Sequence, residues 1–536
     1  VRVQYLLIIF LMMIISCKQN MPGNDLKIFN YNQASGISSL DPAFASLQSN
    51  IWAVNQVYNG LVQVNEKLEV TPSLAKSWFV SPDGLTYTFQ LRDNVFFQKD
   101  TCFNNRDRKF IANDVVYSFE RLVNPATAAK GAWVFNDKID TINPFTAIND
   151  STFQLKLIKP FPALLGILTM QYCFIVPKEA VDYYGKDFRK HPVGTGPFQF
   201  SFWIENEALV FLKNKNYFEK DKDGNSLPYL DGIRISFNDS KTTEFLQFKL
   251  KALDWIVDLD AGVRNEVLTK SGALQKSYEN NFILKKNNYL NTEYIGINLE
   301  KAKKENSPLA DVRVRKAINL AINKNELLVY IRNGIGRTAE YGIVPAGMTG
   351  YNQSLLDKNV YDITQSKKLL YEVGYNENNK MPSITIQCNS SNEALCLFVA
   401  NQLKQVGIEM RVEAMQGKSL NEQMVKGNSL LFRASWIADY PDAESYLALC
   451  YGGYQAPPNY TRMRNENFDK LYLEAMNISN DSIRNNLYVA MDKIIMNELS
   501  IIPLYYDEVL DFIQLNISGF EVNALNLLDL RKVKKN

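Results

Sequence analysis

The densest group of chemistry-bearing side chains in this 536-residue chain is the segment Trp436 to Glu444, WIADYPDAE, where Asp439, Asp442 and Glu444 stand beside Trp436 and Tyr440. Two chemistries fit such a group. A carboxylate pair flanking a sugar serves glycoside hydrolysis. A carboxylate among aromatic rings suits an ammonium group, because Coulomb attraction strengthens where water is excluded and ring faces attract cations. The pattern favours binding, against the plainer alternative of a polar turn after a core strand. Other chemistries lack their parts. The single histidine, His191, directly precedes Pro192 and has no partner set for a catalytic base or a metal. Gly334, Gly336 and Ala339 (GIGRTA) follow a helical pattern, whereas a dinucleotide fingerprint needs a strand leading into a helix. The turn EKDKDGNSLP (219–228) lacks the glycine and terminal glutamate of a calcium loop at the required offsets. Nucleophile-elbow, zinc-protease, Walker and kinase signatures are missing from the sequence. The expectation is a binding protein with no metal and no cofactor, not an enzyme.

The elements that must position these residues show in the periodicity. Leu85 to Leu91 (LTYTFQL) alternates after Pro82, Asp83 and Gly84, which predicts a hairpin. Ala112 to Leu122 places Val115, Val116, Phe119 and Leu122 at helical spacing, with Asn113 available as an N-cap. Gly196 to Leu212 is strand-rich. From about Tyr294 strands and helices alternate: YIGINLE, then a helix over 312–330 capped by Asp311, with Val314, Ala317, Ile318, Ala321 and Ile322 on one face. Ile384 to Gln387, a helix over 393–406 ended by Gly407, and Ile408 to Glu413 form a strand, helix, strand unit. Such a unit implies parallel pairing and an α/β lobe whose ligand edge lies at the strand C-termini.

Composition bounds the partners. Lys plus Arg (59) nearly cancels Asp plus Glu (57), so the chain has no basic field of the kind nucleic acid demands. Hydrophobic residues at 46% and aromatics at 12% suffice for two to four cores. The basic end Arg531 to Lys535 (RKVKK) reads as a solvated terminus. Arg2 followed by the apolar run Tyr5 to Ile15 reads as a cleaved secretory signal, too short to span a membrane. Val1 reads as an alternative initiation codon, so the numbering includes this precursor. Ile14, Ile15, Ser16 and Cys17 resemble a lipobox, which makes Cys17 the lipidation site, Lys18 to Asp25 a polar tether and Leu26 the start of the folded body. The other five cysteines are scattered without CxxC spacing; Cys388 and Cys396 are the closest candidates for a disulfide.

Several ordered stretches together resemble the large peptide- and nickel-binding family of ABC solute receptors. They are SSLDPA (38–43), YNGLV (58–62), LAKSWFVSPDGLTYTFQLRDNVFF (74–97) with ANDVVYSFERL, and PVGTGPFQF (192–200). PYLDGI (228–233), YIGIN, VRVRKAINLAI, ASWIADYPD (434–442) and IIPLYY (501–506) continue the match. The resemblance implies an α/β fold, the bilobal periplasmic-binding-protein fold of the large three-domain peptide-binding type. Lobe I would be 26–60, 190–286 and 505–536, the extra domain 61–189, and lobe II 287–504, joined by a hinge. It further implies an extracytoplasmic monomer, anchored on the periplasmic face or cell surface, that captures di- or oligopeptides and delivers them to the permease subunits of an importer. An extended peptide would lie between the lobes on main-chain hydrogen bonds, flanked by Ser46 to Gln48 and by Arg433, Ala434, Ser435, Trp436 and Ile437. Asp439, in the W-x-A-D-Y pattern and beside Tyr440, matches the carboxylate that receives the α-ammonium, and Arg433 is the candidate for the far carboxylate. The chain departs from the pattern at Ala252 in KALDWIVDLD, where relatives often carry glycine, which leaves the role of the following aspartate open. With no histidine in the second lobe, nickel binding is disfavoured. The alternatives are the same fold binding a glycan, opine or metal chelate, or a diverged lipoprotein enzyme or chaperone. If Cys17 is the lipidated residue, Cys17→Ser leaves a larger, unprocessed precursor on an immunoblot of membrane fractions; normal processing of the variant would exclude that anchor.

Overall fold

The computed structural model describes residues 26–348, 351–478 and 480–536; the signal, Cys17 and the tether lie outside them. One 11-stranded sheet runs through the molecule. Its order begins Phe198–Ile204, Ala208–Lys213, Gly232–Ser236, Ile28–Asn32 and Trp255–Val257, and continues with Ile501–Gln514, Phe282–Ile297, Leu431–Ile437, Ile384–Asn389 and Met410–Met415. Arg337–Thr338 adds to Ile501–Gln514. The two long strands pair antiparallel from Phe282 opposite Gln514 to Gly296 opposite Ile501, with register breaks between Asn288 and Thr292 and between Glu293 and Tyr294. One end of this ribbon joins the early-chain strands through Trp255 opposite Ile513. The other joins Leu431–Ile437. A separate four-stranded sheet, in the order Ala75–Val80, Thr86–Leu91, Thr152–Lys156, Phe145–Asn149, stands outside it.

Local chemistry explains the elements. The hairpin turns at Gly84, whose φ of 69° an L side chain would resist, while the Asp83 carboxylate accepts from the Leu85 amide at 3.0 Å. Helix Ala112–Val123 buries Val115, Phe119 and Leu122, and the Phe119 ring lies 5.1 to 5.7 Å from Phe135, Phe145 and Phe153. Asn113 is not its cap: Ile111 holds that position, and the Asp114 carboxylate accepts the Ile111 amide at 2.9 Å and pairs with Arg108 at 2.7 Å. From the same helix Arg121 grips Asp41 through two hydrogen bonds, tying the small sheet's layer to the LDPA segment.

The predicted helix over 312–330 is two helices, Val312–Ala321 and Lys324–Arg332, because the Asn323 side chain accepts the Glu326 amide and caps a new start. Asp311 caps the first, as its side chain accepts from Arg313. The strands Ile384–Asn389 and Met410–Met415 pair parallel across helix Glu393–Lys404, whose Leu395, Val399 and Leu403 join a core with Val314 and Ile318. Gly334 and Gly336, both at positive φ, follow a helix and lead into Arg337–Thr338, the reverse of a dinucleotide site. Cys388 and Cys396, the closest candidates for a bridge, are buried free thiols.

One charged segment is docked where the sequence suggested freedom. The basic C-terminus is not a solvated tail: Arg531 pairs with Glu219 at 2.5 Å, and Lys535 with Asp254 at 2.8 Å. Asp254, the aspartate after Ala252, also accepts the Asn30 amide at 2.7 Å, and the left-handed residue of that turn is Lys251. On helix Asp481–Glu498, the buried Asp492 accepts the Ile343 and Val344 amides at 2.9 and 3.4 Å, while Tyr506 donates to the Gly342 carbonyl at 2.7 Å. A Cβ at Gly342 would overlap the Asp492 carboxylate. Gly342→Ala is therefore expected to cost about 1–3 kcal/mol through overpacking; an unshifted urea midpoint would show that the turn can yield.

Candidate functional site

The site grows from the strand Leu431–Ile437. One edge is fully used, pairing antiparallel with Phe282–Ile297 from Asn291 opposite Ile437 to Ile297 opposite Leu431. The other edge pairs with Ile384–Asn389 only at Leu431 and Phe432. Among the described residues nothing pairs with Arg433 to Ile437 on that side, so a run of main-chain donors and acceptors is open. Ala434, Ser435 and Trp436 are half-buried and Ile437 is exposed.

The loop that follows is held by a division of labour among its three carboxylates. Glu444 is 2% exposed and takes hydrogen bonds from the hydroxyls of Tyr440 and Tyr472. Asp442, also buried, accepts the Glu444 amide at 2.9 Å and faces Arg484 at 3.9 Å. Burial pushes both carboxyls up. The Ser445 hydroxyl accepts from the Trp436 indole and the Asp439 amide, each at 3.3 Å, and Leu290 receives the Ala438 amide and the Tyr446 hydroxyl through its carbonyl. Asp439 is what remains: exposed, and without a hydrogen bond or ion pair to its carboxylate among the described residues. Although solvent reaches it, protein crowds its flanks, and this loss of hydration, with Glu444 adding, pushes the carboxyl up to about 6. Accessibility decides whether a ligand can reach the group; the surrounding mass decides its proton affinity.

The other expected residues are placed as follows. Tyr440 is buried with its hydroxyl committed to Glu444, so it anchors the loop and presents no contact surface. It reaches across to the 163–173 segment, where a Cβ at Gly166 would lie 3.5 to 3.6 Å from Pro441 and Tyr440. Tyr172 on that segment has its hydroxyl pushed up by burial first and then by Asp439, which marks it as a neighbour of the carboxylate. Ser46 and Gln48 belong to a separate wall: Ser46 accepts from Lys130 at 3.2 Å, and the Gln48 amide donates to the Asn526 carbonyl at 2.8 Å. No hydrogen bond joins them to the strand among the described residues.

Arg433 is already engaged, donating to Glu293 on the adjacent long strand. Glu293 also accepts from Asn291 at 3.2 Å, and Asp507 pairs with Arg332 at 2.6 Å beside it. The sequence reading missed this cluster; the available signal was an acidic residue, Glu293, inside an otherwise buried strand. His191 stacks on Tyr184 with ring centroids 4.5 Å apart, and no cluster of three or more metal-binding side chains occurs among the described residues. Cavities of about 620 Å³ beside Arg92, Glu219 and Arg531, and about 900 Å³ between helices Ile363–Val373 and Glu393–Lys404, do not include Asp439.

Comparison with known proteins gives the chain's family and fold. The glutathione-binding protein GsiB of Escherichia coli is 27% identical over 510 residues, 91% of this chain and 90% of that protein. The periplasmic binding protein DppA of Helicobacter pylori, solved with the peptide STSA, superposes with a TM-score of 0.74 at 25% identity, covering 95% of this chain and 98% of DppA. HbpA2 of Haemophilus parasuis superposes with a TM-score of 0.82 at 23% identity, over 95% and 99% of the two chains, which shows the shared large three-domain fold. Residues 69–458 match the family model described as bacterial extracellular solute-binding proteins, family 5, middle region, and the chain belongs to that family.

Proposed function

We propose that this solute-binding protein of an ABC importer captures peptides, holding the main chain on the open strand edge Arg433 to Ile437 and the α-ammonium at Asp439. The observation that carries the reading is the juxtaposition of these two features: a strand edge that loses its partner after Phe432 ends two residues before an unpaired carboxylate. A peptide added as a strand satisfies backbone groups common to all peptides, each hydrogen bond contributing about 0.5–1.5 kcal/mol net. Trp436 and Ile437 supply the flanking apolar surface, and the Ser46 to Gln48 wall supplies the opposite side. GsiB, a glutathione-binding protein, and DppA, solved with the peptide STSA, support a peptide over a sugar.

The lobes in this reading are 26–60, 190–286 and 505–536 on one side and 287–504 on the other, with 61–189 as the extra domain. The register break between Asn288 and Thr292 supports a hinge there. Export, acylation at Cys17, a tether over 18–25, a monomeric receptor and delivery to membrane-embedded permease subunits complete the proposal. A binding role without turnover accords with relatives that are substrate-binding proteins.

The ammonium must meet an ionised carboxylate. Since the free Asp439 carboxyl lies near 6, peptide affinity is expected to hold above that pH and to fall by about tenfold per unit below it. With the pair enclosed by the bound peptide and the closed cleft, Asp439→Asn should lose about 3–5 kcal/mol, and N-acetylation of the peptide should cost the variant far less than wild type. Calorimetric titration between pH 4.5 and 7.5 provides the check. Additive losses in the cycle, or a pH profile unchanged by the substitution, would place the amine elsewhere.

A further inference from the structure

The cleft strand carries a guanidinium that is neutralised from within the protein. Arg433 and Glu293 are hydrogen-bonded side chains only 13% and 5% exposed. Around them Asn291 bridges Glu293 and Asp507, at 3.2 and 3.4 Å, and Asp507 holds Arg332 at 2.6 Å. The Arg332 guanidinium lies 5.3 Å over the Tyr505 ring. Two cations meet two anions, so the cluster carries no net charge. An incoming α-carboxylate could reach Arg433 only by expelling Glu293, which would leave a buried carboxylate uncompensated, or by sharing one guanidinium between two anions. Within this cluster the buried side-chain atoms still without partners are Arg433 Nε, Arg332 Nε and Asn291 Oδ1, all closed off from solvent.

We infer that Glu293 is a built-in counter-ion that makes the receptor indifferent to the charge at the carboxyl end of its ligand. Resting on the peptide reading above, this narrows the ligand class to peptides with a free amino terminus, whose carboxyl end is free, amidated or extended without penalty. Glu293 is then a specificity-determining residue that acts through Arg433.

Tetra-alanine serves as the probe, as free acid, as C-terminal amide and as N-acetyl peptide, titrated calorimetrically into wild type and Glu293→Gln. Wild type is expected to bind acid and amide within about threefold of each other, while Glu293→Gln, with Arg433 released, should favour the acid by tenfold or more. A tenfold preference for the acid in wild type overturns the inference, and this comparison needs no variant to fold. So does a folded Glu293→Gln protein that stays indifferent, since Arg433 is then out of the ligand's reach. Equal binding of the N-acetyl and free peptides leaves the acid-to-amide ratio readable but removes the Asp439 assignment. Failure of all three peptides to bind removes the peptide reading and this inference with it.

Discussion

The structure depends on one antiparallel ribbon, Phe282–Ile297 against Ile501–Gln514, because those two strands supply pairing partners to both halves of the continuous sheet. Unbroken pairing would weld the halves into a rigid plane. The register breaks around residues 288–294 relax it locally: unpaired residues in a ladder bend and twist the strand. The same breaks lie beside Asn291, Glu293 and Asp507, which places a buried polar network at the junction. Side chains in the ribbon therefore do two things at once. Apolar residues such as Ile295 and Ile502 weld the core, and charged ones set the electrostatics of the adjoining strand.

Electrostatics within the loop after Ile437 follow the same logic of internal satisfaction. A buried carboxylate is tolerated only where hydrogen bonds or a cation offset its lost hydration. Glu444 has two tyrosine hydroxyls, Asp442 has a backbone amide and Arg484, and Glu293 has Arg433. Every group so satisfied is withdrawn from ligand chemistry. Asp439 is the carboxylate left exposed, which the loop does not satisfy, and this is why we propose it for a cationic group of the ligand.

In the proposed function, main-chain recognition and charge recognition divide the work of selectivity. The open edge of Arg433 to Ile437 offers groups that any peptide matches. On that proposal discrimination falls to the amino end, at the bare Asp439 carboxylate, while the self-neutralised Arg433 leaves the carboxyl end unread. A protein that must accept many side chains gains from such an arrangement, because end-reading costs little in sequence range. The docked C-terminus fits the same economy, with Arg531 and Lys535 spending their charge on Glu219 and Asp254 inside the fold.

Sequence by itself determined whatever rests on short-range periodicity or a local motif. The Gly84 hairpin, the buried faces of Ala112–Val123 and Glu393–Lys404 and the parallel pair around the latter all depend on residues within a few turns of one another. Even there a competing local signal misled: Asn323 recaps a chain that helical spacing alone would have continued, and Asp114 rather than Asn113 satisfies the start of its helix. Tertiary structure decided the rest. Glu293 and Arg433 are 140 positions apart, Asp254 and Lys535 are 281 apart, and no spacing rule links them. Whether Tyr440 faces a ligand or Glu444, and whether the edge beyond Phe432 is covered or open, depends on how distant strands register and where one of them turns away. Local patterns report which face of an element is apolar; the partner of a buried charge is set by the register of chains brought together from far apart.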